Sequence, residues 1–135
     1  MALALSSKQR IPISVGGETV TMICRQPTAK EVSIFLAQRF ETKRNKIKSR
    51  LYEARPEFVR KILLDVENAQ YESAGGEIRP LNAQSVLSEE DLRHASALLG
   101  RQVESWLDLI PDSWFSAVAM RFEDAAPDDE DGEGN

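Results

Sequence analysis

The chain has 135 residues, 41% of them hydrophobic and 29% charged, with a formal net charge of −5. That length suits one domain with one core, and the composition is that of an ordinary globular protein rather than a fibrous or disordered one. No apolar run approaches the about 20 residues of a membrane span, and residues 1–7 are too short for a signal core and lack a basic segment ahead of it, so the cytoplasm is the expected compartment.

Residues 1–10 are expected to be a flexible terminus. From Ile11 the pattern is that of a β-hairpin. Ile11, Ile13 and Val15 alternate with polar neighbours, and Val20, Met22 and Cys24 alternate after them. Gly16-Gly17 between them supplies the positive φ values of a tight turn. Pro12 has no amide hydrogen to give to a ladder, which makes the first strand an edge and offers a route to self-association. Thr28 and Glu31 are spaced as a reciprocal helix cap. Val32, Phe35, Leu36 and Phe40 follow at helical spacing, and that helix is expected to run into the charged stretch near Arg50.

Pro56 suits the first turn of a second helix, with Phe58, Val59, Ile62, Leu63 and Val66 on its apolar face and its end near Asn68. Residues 69–81 contain Tyr71, Gly75-Gly76, Ile78 and Leu81 and read as a small hairpin or an irregular turn. Ser88 opens a third helix, with acids in its first turn where the helix dipole favours them. Leu92, Ala95, Leu99, Val103, Trp106 and Ile110 continue its stripe, Gly100 weakens it, and Pro111 ends it. Asp112 or Ser113 then caps a last helix holding Trp114, Phe115, Val118 and Phe122. The expected fold is α+β: an N-terminal hairpin, a body of about four helices spanning residues 11–122 as a single domain, and a disordered acidic tail over 123–135.

Charge is unevenly placed. Residues 123–135 hold seven acids and no base, whereas residues 39–61 hold nine bases against three acids. Such a basic run has three readings: a site for phosphate backbone, a site for an acidic protein or for the chain's own acidic tail, or a solvated helix face. The tail repels phosphate, so nucleic acid is the less favoured partner. Trp106, Trp114 and Phe115 cluster around Leu109-Ile110-Pro111 and either close the core or form a docking surface. The candidate partner-binding residues are therefore Lys43, Arg44, Lys46, Lys48, Arg50, Trp106, Trp114 and Phe115.

Catalytic and metal motifs are missing from the sequence. A nucleophilic Cys24 would need a histidine beside it, and the single histidine, His94, lies in a charged helical stretch. One histidine and one cysteine do not make a zinc site of the usual ligands. Residues 128–133 have the composition of a calcium loop without its alternating ligand spacing. The glycine pairs lack the following Lys-Ser/Thr of a phosphate loop. Carboxylate pairs such as Glu89/Glu90 and Asp108/Asp112 are accounted for by helix capping. The expectation is a non-enzymatic protein without cofactor or metal.

The stretch from Ile13 to Val20 with its Gly16-Gly17 turn, followed by Pro27-Thr28-Ala29-Lys30-Glu31, resembles the opening of the tail assembly chaperones of long-tailed bacteriophages. The order of later elements and the charged C-terminus are similar too. The chain departs from that pattern after the second helix, where Asn68-Ala69-Gln70-Tyr71 replaces a Gly-Trp stretch. The resemblance implies a cytoplasmic protein that binds the helical tape-measure protein, recruits tail-tube subunits and leaves before the virion is complete. A structural virion subunit, such as a tail-completion or head–tail connector protein, is the alternative of the same size. A small nucleic-acid-binding regulator using residues 39–61 is the other.

Overall fold

The structure is a computed structural model and describes residues 8–125. Most of the expected acidic tail, and residues 1–7, lie outside the described residues. In chain order the elements are β1 (Lys8–Val15), β2 (Glu18–Arg25), α1 (Ala29–Gln38), β3 (Phe40–Lys43), β4 (Lys46–Ser49), α2 (Leu51–Ile62), β5 (Leu63–Glu67), β6 (Gln70–Glu72), β7 (Ile78–Pro80), α3 (Glu89–Leu99), a 3₁₀ turn (Trp106–Leu109) and α4 (Asp112–Ala125). The fold is α+β.

The N-terminal hairpin forms as the alternation requires. Ile11 faces Met22 and Ile13 faces Val20 across the ladder. Gly16 and Gly17 turn the chain with φ of 57° and 84°. The strand begins at Lys8, so residues 8–10 are paired backbone rather than part of a loose terminus. β5 adds to the far side of β2, giving the order β1-β2-β5 with β1 at an edge. The Arg121 guanidinium donates to the Pro12 carbonyl at 3.2 Å. Proline lacks the donor and its acceptor is taken, so this edge is partly closed to strand addition.

One face of that sheet and the helices above it make the core. Ile11, Ile13, Met22 and Cys24 meet Val59 and Ile62 of α2 and Phe115, Val118 and Ala119 of α4 in one buried cluster. Phe58 stacks on Phe35 of α1 with ring centroids 4.4 Å apart and receives the edge of Phe122 at 5.4 Å. Full burial of such a ring is worth about 2–3 kcal/mol before packing terms. α1 is placed by its cap: Glu31 N donates to Thr28 Oγ1 at 3.1 Å and Thr28 N to Glu31 Oε1 at 2.9 Å. Arg25 at the end of β2 then forks onto the same carboxylate at 2.7 and 2.6 Å.

Several boundaries differ from the sequence expectation. α1 stops at Gln38, and a hairpin replaces the expected helix over residues 40–49. α2 starts at Leu51, so Pro56 sits inside it, and it ends at Ile62 rather than near Asn68. Leu63 and Val66, expected on that helix, belong to a strand that pairs with β2. The register slips between Ile23 and Cys24, and Leu64 is the extra residue of the resulting bulge. Residues 69–81 do form a small hairpin, β6 against β7.

The third helix is capped by Ser88, with Asp91 closing the box. Gly100 terminates it at φ 67°, so this glycine is a stop signal rather than a weak point within a longer helix. The remainder of the expected stripe, from Val103 to Ile110, is a loop and a 3₁₀ turn. Residues 123–125 belong to α4 and not to a disordered tail.

Candidate protein-binding surface

The second hairpin is built by alternation. Phe40-Glu41-Thr42-Lys43 and Lys46-Ile47-Lys48-Ser49 pair antiparallel, with Phe40 opposite Ser49, Glu41 opposite Lys48, Thr42 opposite Ile47 and Lys43 opposite Lys46. Opposed residues share a face and neighbours alternate. One face therefore carries Phe40, Thr42, Ile47 and Ser49, and the other Glu41, Lys43, Lys46 and Lys48. Arg44 and Asn45 turn the chain with φ of 53° and 65°. Two positive φ values are what the favoured two-residue hairpin turn demands, and asparagine tolerates the left-handed region better than most residues.

The base of this hairpin is fixed to the body. Arg50 N donates to the Arg39 carbonyl at 2.7 Å. Arg39 reaches Glu123 of α4 at 3.0 Å, and Arg55 of α2 joins it at 2.7 Å. Burial would raise the pKa of the Glu123 carboxyl; the hydrogen bonds from Arg55 and Arg39 outweigh it and hold the group below the usual carboxylate range. The Arg39 guanidinium also lies 5.7 Å from the Phe40 ring centre. Arg50 bonds Glu53 at 2.8 Å in the first turn of α2.

Beyond that base the hairpin touches little. Every residue from Phe40 to Ser49 is exposed, including Ile47 at 79%. Lys43, Arg44, Lys46 and Lys48 make no salt bridge among the described residues, although Lys48 faces Glu41 across the ladder and helps to lower the pKa of Glu53. Lys43 faces Lys46 directly, and like charges in that position destabilise a ladder. The tip thus favours an anion, while the opposite face offers apolar side chains.

Ser49, on the same face as Phe40 and Ile47, lines a groove. Ser49 and Leu51, Tyr52 and Arg55 of α2 form one wall, and Ser116, Ala117 and Met120 of α4 belong to the other. The groove encloses about 760 Å³, and its lining is mostly apolar. Tyr52 is 94% exposed and Met120 48% exposed. Tyr52 was not singled out by the sequence, and Ile47 stood there only as an apolar residue interrupting a run of charges.

The structure groups the expected site residues in two sets. Lys43, Arg44, Lys46 and Lys48 come together on the hairpin, and Arg50 sits at its base as the residue preceding α2. Trp106, Trp114 and Phe115 serve the core instead. Phe115 is fully buried, which removes it from any docking surface, and the two tryptophans are half-buried against the same cluster. The Arg60 guanidinium covers the Phe115 ring at 5.6 Å and pairs with Asp108.

Cys24 is fully buried on β2, and burial pushes its thiol up to about 12. His94 lies on α3 with Nε2 3.8 Å from a Glu72 oxygen, and no hydrogen bond links it to Cys24. Among the described residues no group of three histidine, cysteine or acidic side chains is placed to hold a metal ion, and no helix is long and apolar enough to cross a membrane. No protein-family model matches the chain, and no curated protein and no solved structure does either.

Proposed function

We propose that this protein is a non-enzymatic assembly factor that holds other proteins, acting as a tail assembly chaperone of a long-tailed bacteriophage in the host cytoplasm. Its client is the helical tape-measure protein, and tail-tube subunits are recruited to the held client. The observation that carries the reading is the β3–β4 hairpin, an arm with exposed Phe40 and Ile47 on the face whose Ser49 lines the groove beside Tyr52 and Met120. An amphipathic helix lays its apolar stripe into a groove of this kind. Exposed apolar side chains that neighbour one another mark interaction sites more often than scattered ones do.

Co-expression with a tape-measure protein tests the reading. The wild-type chain should keep the client soluble and co-purify with it. Ile47→Asp combined with Tyr52→Asp should abolish both effects while leaving the fold intact. A client that stays insoluble beside the wild-type chain overturns the proposal.

The basic face supports a second reading, a small nucleic-acid-binding regulator. Lys43, Arg44, Lys46 and Lys48 stand on a two-stranded ribbon without salt bridges among the described residues, and such ribbons fit a nucleic-acid groove. In that reading affinity for an oligonucleotide falls steeply with salt, and charge reversal at these four residues removes it.

A further inference from the structure

We propose that two copies of this chain exchange their β3–β4 hairpins, each arm lying with Phe40 and Ile47 down in the α2–α4 groove of the other copy. Three observations converge on this occupant. The first is self-complementarity. A two-stranded ribbon without a core is marginal in water, and the shared face of Phe40 and Ile47 is exposed. The groove is in the same position, since Tyr52 and Met120 line it and are exposed. Arm and groove belong to one chain, so a two-fold axis covers both of them twice, as closed dimers do. The β1 edge, the route to self-association that Pro12 suggested, is partly closed by Arg121.

The second is size. Each strand of the arm has four residues and is about 13 Å long. Along α4 the groove is lined from Asp112 to Met120, a helical rise of about 12 Å. The arm's ten residues, with the eight besides Ser49 that line the groove, engage about 18 residues a side. A standard interface engages about 20–30. The dimer therefore belongs to the weak, transient class, associated at about 200 µM and dissociated near about 1 µM.

The third is charge. The arm carries four bases against one acid. With Phe40 and Ile47 down, Glu41 and Lys48, which face each other across the ladder, stay on the outer side, and Lys43, Arg44 and Lys46 mark the tip. α4 sets a carboxylate toward each end of the groove. Asp112 lines it, 3.7 Å from Arg101, and Asp124 lies exposed one turn beyond Met120 on the same side of the helix. Arg55, which also lines the groove, is already bonded to Glu123. The surplus base of one copy thus meets acid in the other. The inference concerns the chain by itself and does not rest on the identity of a client.

The test is equilibrium sedimentation of the full chain alone. The wild type should be a dimer at about 200 µM. Ile47→Asp on the arm and Met120→Asp in the groove should each raise the dissociation constant at least about thirtyfold. Both side chains are exposed, so the circular dichroism of the two variants should match that of the wild type. Mixed in equal amounts, the variants should associate more tightly than either does alone, because the intact arm of the Met120→Asp chain fits the intact groove of the Ile47→Asp chain. A wild type that stays monomeric overturns the proposal, as does a mixture no tighter than its components. Wild-type dimerisation by Met120→Asp also overturns it, since the arms would then pair with each other. So does growth beyond two copies, which means an open-ended contact. None of these readouts involves a client, so their failure does not bear on the chaperone reading.

Discussion

At Glu123 two arginines from different elements converge on one nearly buried carboxylate, and the three side chains tie the foot of the hairpin to α2 and α4. Glu123→Gln leaves two guanidiniums facing a neutral amide, and a loss of about 2 kcal/mol is expected in urea denaturation followed by tryptophan fluorescence. The pH dependence has a definite sign. A carboxyl with a depressed folded pKa stabilises the fold above its unfolded pKa, and that contribution is lost as pH falls through the folded value. Glu123 has such a depressed value. So does Glu31, held down to about 2 by the Arg25 hydrogen bond and then by the Thr28 amide. Denaturation midpoints should therefore fall on acidification below the ordinary carboxylate range, and less steeply in the Glu123→Gln and Glu31→Gln chains. Cys24 gives the opposite kind of prediction. Buried, and with its thiol near 12, it should resist alkylation at pH 8 and react only as fast as the fold opens. Rapid labelling of the native chain would contradict its placement in the core.

At the scale of elements, the hairpin is the part whose residues, from Phe40 to Ser49, are all exposed. Ile47→Asp should change the unfolding free energy by less than about 0.5 kcal/mol while abolishing client retention, measured by co-purification. Local chemistry made some elements readable beforehand. Gly16-Gly17 marked the first hairpin, and Thr28/Glu31 and Ser88/Asp91 marked two helix starts, because turns and caps depend on neighbouring residues alone. The β3–β4 hairpin was missed for a related reason. Phe40 fits the stripe of Val32, Phe35 and Leu36, so a helical period extrapolates through it, and Arg44-Asn45 lacks the glycine that usually announces such a turn. β5 was hidden differently. Leu63 and Val66 satisfy a helical period, and only the partner strand β2, distant in sequence, makes them a strand. For the site, the cluster of bases was legible from charge. Its apolar counterpart was not, since it exists only once strand alternation puts Phe40 and Ile47 on a common face.

The whole molecule is a three-stranded sheet roofed by α2 and α4, with the small β6–β7 hairpin and α3 attached at one side. Asp91 joins α3 to that hairpin: it closes the Ser88 cap and also accepts from the Ala74 amide at 2.9 Å. Phe115, fully buried between the Arg60 guanidinium and the sheet-side core, lies at the centre of the roof. Phe115→Ala should cost about 3–5 kcal/mol, a large share of the about 5–15 kcal/mol that ordinarily holds a domain folded. The measurement is a thermal melt. A variant that stays folded with an unchanged midpoint would mean that α4 is not part of the cooperative unit.

The turn at Arg44 and Asn45 has a consequence for kinetics. An arginine held in the left-handed region costs about 1 kcal/mol or more, and a two-stranded ribbon with no core of its own is marginal in water. Capture of a client must therefore restrict a loosely held arm, and the entropy lost on restriction is subtracted from the affinity. In the chaperone reading proposed above, that favours rapid release of the client. Asn45→Gly relaxes the turn without touching charge or the apolar face. The arm should then be better organised before contact, and dissociation of the client should slow by about two- to threefold in a surface-plasmon measurement, equivalent to about 0.5 kcal/mol. An unchanged off-rate would show that the arm is already rigid before it binds.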